Sequence, residues 1–153
     1  MTYEELQDAY PSVNIVEMDL SEVKGLKGLC VDDNIAIRKD IRTQTEKTCV
    51  LAEELGHYHT TYGDILDLDN VQNRKQEFRA RMWGYDRLIG LKGIIQTYKR
   101  GCRNLAEIAE ELDVTEEYLL EALKSYRSKF GTRTTADGYV IYFEPTLAVM
   151  KLY

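Results

Sequence analysis

Cysteine, proline and histidine are all scarce in this 153-residue chain, and an excess of positive charge is missing altogether. Its three cysteines, Cys30, Cys49 and Cys102, are scattered, and no two have the spacing of a metal knuckle or a redox motif. An odd, sparse set argues against a disulfide scaffold and suits reduced thiols, so a cytoplasmic location is expected. The formal net charge of −6 denies the chain the basic surface that phosphate neutralisation needs, which disfavours direct nucleic-acid binding. No apolar run approaches the roughly 20 residues of a membrane span, so no membrane partner is expected. Residues Met1 to Glu5 lack the basic start and apolar core of a signal peptide, which argues against export. The two prolines, Pro11 and Pro145, read as the stops of a helix and a strand.

What is present is ordinary for a globular chain: 44% hydrophobic and 30% charged residues. Residues 2–10 read as a short helix, and Val13, Ile15 and Val16 as a strand. Gly25 and Gly28 punctuate a loop. Leu29-Cys30-Val31 and Ile35-Ala36-Ile37, separated by Asp32-Asp33-Asn34, form a hairpin pattern. Thr43 with Glu46 three residues on fits a capping box and predicts a helix start. A loop is expected over 64–70, then a long helix from Val71 with Phe78, Met82, Tyr85 and Ile89 facing a core. Gly90 and Gly93 break that pattern. Three helical segments follow over 94–129, with Thr115 as an N-cap. Gly138 to Phe143 reads as a strand.

The two histidines, His57 and His59, lie two positions apart. His57 closes the segment Glu53-Glu54-Leu55-Gly56-His57, which reads as the His-Glu-x-x-His helix of a zinc peptidase with its first ligand altered. Residues four apart share a helix face and can reach one metal ion. The acid beside them, Glu54, is placed to accept a proton from an activated water. Glu53 stands at the first-ligand position, and a carboxylate oxygen is a legitimate zinc donor. His59 is an alternative ligand only if the helix ends at His57, because two residues turn it about 200° around a helix. Cys49 shares the Glu53–His57 stripe, but roughly 12 Å of helix separates its ends, so Cys49 reads as core. Gly56, unfavourable inside a helix, suggests that another backbone passes close by. On the next helix Glu77, Ala80 and Gly84 form a stripe on which an acid precedes small residues. Glu77 and Arg81 are also spaced for an ion pair. Arg74, Lys75, Arg79, Arg81 and Arg87 read as a solvated face.

The segments Leu51-Ala52-Glu53-Glu54-Leu55-Gly56-His57-Tyr58-His59-Thr60 and Asn73-Arg74-Lys75-Gln76-Glu77-Phe78-Arg79-Ala80, with the tail Gly138-Tyr139-Val140-Ile141-Tyr142-Phe143, resemble the ImmA/IrrE family of metallopeptidases. The resemblance implies that Glu54 is the general base and that His57 and Glu77 are metal ligands, with Glu53 at the remaining ligand position. It implies Zn²⁺, or another divalent metal, as cofactor. Two carboxylates and one imidazole make a formally neutral zinc centre, for which weaker zinc affinity and a higher pH optimum are expected. Relatives of this size accompany phages and mobile elements and relieve repression by cleaving a helix-turn-helix repressor. A protein substrate of that kind is therefore expected here.

The resulting expectation is an α+β fold: a small antiparallel sheet on a mainly helical body with a zincin-like active-site helix. Residues 1–90 form the peptidase core. Residues 91–153 form a helix-turn-helix-like region plus a strand, packed with the core as one unit. In that region Ala106, Ala109 and Val114 take packing positions, and Glu116-Glu117 at the start of the last helix disfavour DNA reading. The rival functions are a pseudo-enzyme that sequesters the repressor and a DNA-binding regulator.

Overall fold

The computed structural model describes residues 1–60 and 71–153, so the loop expected over 64–70 lies outside the described residues. The fold is α+β. The chain divides into two compact units, Met1–Arg87 and Leu88–Tyr153.

The first unit starts with α1 (Tyr3–Asp8), where the Thr2 hydroxyl accepts from the Glu5 N–H and the Glu5 carboxylate accepts from the Thr2 N–H. This closed capping box satisfies two orphan donors of a six-residue helix that packing alone must otherwise hold. Leu6 is fully buried and α1 packs on α2 (Gln44–Thr60). Between them run β1 (Asn14–Met18), β2 (Gly28–Val31) and β3 (Asn34–Arg38) in the order β1-β3-β2. The hairpin forms as expected, β2 pairing antiparallel to β3 through a turn at Asp32 with φ of 50°. The sheet is not wholly antiparallel, however. β1 lies parallel to β3, with Ile15 opposite Ile35, because the 19–27 connection stays at one end of the sheet and β2 carries the chain back before β3 begins. β3 is therefore the central strand, and its Ile35 and Ile37 are fully buried. Burying each contributes roughly 1.5–3 kcal/mol. Gly28, read as loop, instead begins β2.

At the start of α2 the Thr43 hydroxyl accepts from the Glu46 N–H at 3.1 Å, while the Glu46 carboxylate pairs with Lys27 at 2.9 Å. Leu51, Ala52 and Leu55 have no exposure, and Cys49 is buried as core. α3 (Val71–Leu88) buries Ala80, Met82, Gly84 and Tyr85. Phe78, expected in the core, stays 38% exposed. It lies one turn before Met82 on the same side, where the core has ended. Arg74, Lys75, Arg79 and Arg81 are exposed, as a solvated face requires, but Arg87 is half-buried and its Nε donates to the Tyr10 hydroxyl at 3.1 Å.

In the second unit Gly90, with φ of 64°, separates α3 from α4 (Gly90–Lys99). Gly93 does not break α4. It sits under Leu112, where a Cβ would come within 3.2 Å of that side chain. α5 (Leu105–Leu112) is capped by Asn104, and α6 (Glu116–Phe130) by Thr115, whose hydroxyl accepts from the Tyr118 N–H. Ala109 and Val114 are buried between these helices, but Ala106 is exposed because it points away from α4 and α6. The expected C-terminal strand is β5 (Tyr139–Tyr142), the middle of an antiparallel meander with β4 (Arg133–Ala136) and β6 (Ala148–Lys151). Neither neighbour was anticipated.

Candidate metal centre

The centre is set by a backbone contact. A Cβ built on Gly56 of α2 would stand 2.0 Å from the carbonyl oxygen of Ala80 on α3. Only glycine allows this approach, which is the close passage that Gly56 implied. The next residue on α2 is His57, and Glu77 lies one turn before Ala80 on α3. Their side chains therefore meet, with His57 Nε2 3.5 Å from Glu77 Oε2. Glu53, one turn before His57, brings a third donor. One ligand atom from each of Glu53, His57 and Glu77 lies within 4.8 Å of the others.

This donor set fits a divalent metal. Zinc bonds of about 2.1 Å in tetrahedral geometry put neighbouring donors about 3.4 Å apart. The His57–Glu77 separation already matches that spacing. The Glu53 side chain, 42% exposed, has room to swing inward.

Glu77 divides its two oxygens. Oε2 faces His57, while Oε1 accepts from Arg81 Nε at 3.0 Å. The ion pair and the meeting with His57 were alternatives in the sequence; the carboxylate makes both. Arg81 Nε also stands 3.7 Å from Glu53 Oε1.

Glu54 turns from this trio toward β2. A Cβ on Gly28 would lie 2.8 Å from Glu54 Cγ and 3.1 Å from its Oε1, so the glycine makes room for the carboxyl. Burial, then Glu53, then Glu77, push the Glu54 carboxyl up to about 8. A cation shared by Glu53 and Glu77 would cancel the last two causes. Burial and then Glu54 push the Cys30 thiol, also on β2, up to about 11, so it stays protonated at neutral pH. Sequence reasoning missed the Gly28–Cys30 cover. The available signal was a small residue at the strand start.

His59 is not brought to the trio. α2 continues to Thr60, which turns His59 to another face, where it stacks on Trp83 at 4.5 Å and meets Tyr10 at 5.0 Å. Burial lowers its pKa.

A helix offering Glu53, Glu54 and His57, a second helix offering Glu77, and a strand covering the acid form the layout of a metallopeptidase-type domain. The chain belongs to the family described as Peptidase_M78, IrrE N-terminal-like domain, whose model matches residues 9–124. No curated protein and no solved structure matches it. Among the described residues no helix is long and apolar enough to cross a membrane.

Proposed function

We propose that the chain is a zinc-dependent endopeptidase of the cytoplasm that cleaves a helix-turn-helix repressor of a phage or mobile element. The observation that carries this reading is the convergence of Glu53, His57 and Glu77 beside a sheltered Glu54. Glu53, His57 and Glu77 would hold the metal. Bound there, a zinc ion supplies a Lewis acid for the scissile carbonyl and for water. Glu54 accepts the proton of the attacking water and delivers it to the leaving amine. With a cation offsetting Glu53 and Glu77, burial beside Gly28 is the cause that still raises its affinity for protons, which suits both halves of that transfer.

The substrate backbone aligns along a sheet edge. β3 is paired on both sides and cannot accept another strand. β2 has the suitable edge. The Arg38 N–H donates to the Lys27 carbonyl, and the register then directs the backbone groups of Lys27, Leu29 and Val31 to β3. Those of Gly28 and Cys30 point outward, on the residues that adjoin Glu54. An extended peptide added there would run past the candidate centre.

The test is incubation of the zinc-loaded protein with a co-encoded helix-turn-helix repressor, followed by intact-mass analysis. Discrete fragments with the wild type and none with E54Q support the reading. An intact repressor beside zinc-loaded protein refutes it. Glu53 in place of histidine favours a second reading, sequestration without cleavage, which intact repressor with lost DNA binding would support.

A further inference from the structure

The two carboxylates of the candidate centre share a cation supplied by the chain itself. Arg81 follows Glu77 by one turn of α3, and its Nε lies 3.0 Å from Glu77 Oε1 and 3.7 Å from Glu53 Oε1. Those acids come from two different helices, so the guanidinium bridges α2 and α3 on the side where the motif departs from two histidines. A divalent ion with two carboxylates is formally neutral. Adding the guanidinium leaves one positive charge. A divalent ion with one carboxylate and two neutral imidazoles carries the same charge.

We propose that Arg81 is the counter-charge for Glu53, restoring to a two-carboxylate centre the net charge of a one-carboxylate centre. This rests on the metal reading of Glu53, His57 and Glu77. Arginine suits the role because it stays protonated at every working pH and spreads its charge over a fork that can face two acids. The arrangement has two opposite consequences. A fixed positive charge beside the ligands repels an incoming dication, so metal binding is weaker than the two acids alone would give. The same charge keeps the loaded centre electrophilic. Arg81 acts as a positioning and tuning residue, through Glu53 and Glu77.

The experiment measures zinc affinity of the full chain by competition with a chromophoric chelator. The variants are R81Q, R81M, R81K, E53H and E53H/R81Q, each checked for native helix content by circular dichroism. Two neutral replacements are included so that a folding defect in one leaves the other to decide. R81Q and R81M are expected to bind zinc about tenfold more tightly than wild type, the order expected for one screened, half-exposed charge. R81K stays within about threefold. At saturating zinc R81Q loses peptide hydrolysis and R81K keeps it. In the E53H background the same R81Q change leaves turnover within about twofold, because only one carboxylate then needs balancing. Folded neutral variants that bind zinc no more tightly than wild type overturn the counter-charge role, as does an R81Q loss of equal size in both backgrounds. Wild-type protein that binds no zinc overturns the metal reading itself, which is a different result from zinc binding that Arg81 does not influence.

Discussion

Replacing Gly56 by alanine tests the packing that brings the ligand helices together. In an ordinary helix interior this change stabilises by about 0.8–1 kcal/mol. Here the new Cβ would lie 2.0 Å from the Ala80 carbonyl oxygen and 2.9 Å from its carbon. Carbon–oxygen contacts normally begin near about 3.3 Å, so α2 and α3 must part by roughly an ångström. The obstacle is helix backbone, which cannot rotate aside as a side chain can. Overpacking of this kind costs about 1–3 kcal/mol, and the upper end applies to a backbone clash. After the helix gain is subtracted, G56A is expected to destabilise by about 2 kcal/mol, a fall in Tm of about 4–8 °C for a chain of this size. The same displacement widens the 3.5 Å gap between His57 and Glu77, so zinc affinity should fall at least about tenfold. Thermal unfolding of the metal-free protein and chelator competition measure the two effects. A rise in Tm, as helix propensity alone predicts, would refute the close approach.

Further expectations concern the other residues of the centre. Glu54 has a folded pKa of about 8 against an ordinary 4.5, so between these values the folded state holds more protons than the unfolded one. Stability of the metal-free protein should therefore be full below about pH 4.5 and fall by on the order of 2–4 kcal/mol as pH rises through 8. E54Q should flatten that decline in urea unfolding at pH 5, 6.5 and 8 (parallel wild-type and E54Q profiles count against it). E53H should tighten zinc binding, because imidazole is a better zinc donor than a half-exposed carboxylate and that preference outweighs one lost negative charge. Weaker binding on titration would show that Glu53 is not at the ligand position. G28A places a Cβ 2.8 Å from Glu54 Cγ and should displace that side chain. Peptide hydrolysis is expected to drop by about 10²-fold with zinc affinity unchanged, the loss associated with removing a positioned general base.

Much of the fold could be read from local patterns. The hairpin followed from two apolar runs around Asp32 and Asp33, and two helix starts from caps at Thr43 and Thr115, each with a hydroxyl accepting from its helix, while the Asn104 cap of α5 went unread. The parallel partner of β3 could not be read, because pairing across a long connection leaves no periodic trace in either strand. The second sheet did carry a signal. Asp137 and Gly138 both adopt positive φ, the Asp-Gly turn that joins β4 to β5, although Arg133-Thr134-Thr135-Ala136 carries no large apolar residue to mark a strand. At the centre, residue spacing alone aligned Glu53 with His57 on one helix. The distance to Glu77 depended on tertiary packing, and its one sequence trace was glycine at 56 with alanine at 80. That Arg81 bridges Glu77 and Glu53 was legible only as an i,i+4 pair, since the second acid arrives from another helix.

The stacking of His59 on Trp83 gives the molecule its own optical gauge. Trp83 is the chain's one tryptophan, carried by the helix that bears Glu77, and His59 belongs to the helix that bears His57. Any event that spreads or draws together those two helices changes the surroundings of the single indole. Its emission should therefore follow ion loading without a label, and a protonated imidazole stacked against the ring should dim it in acid.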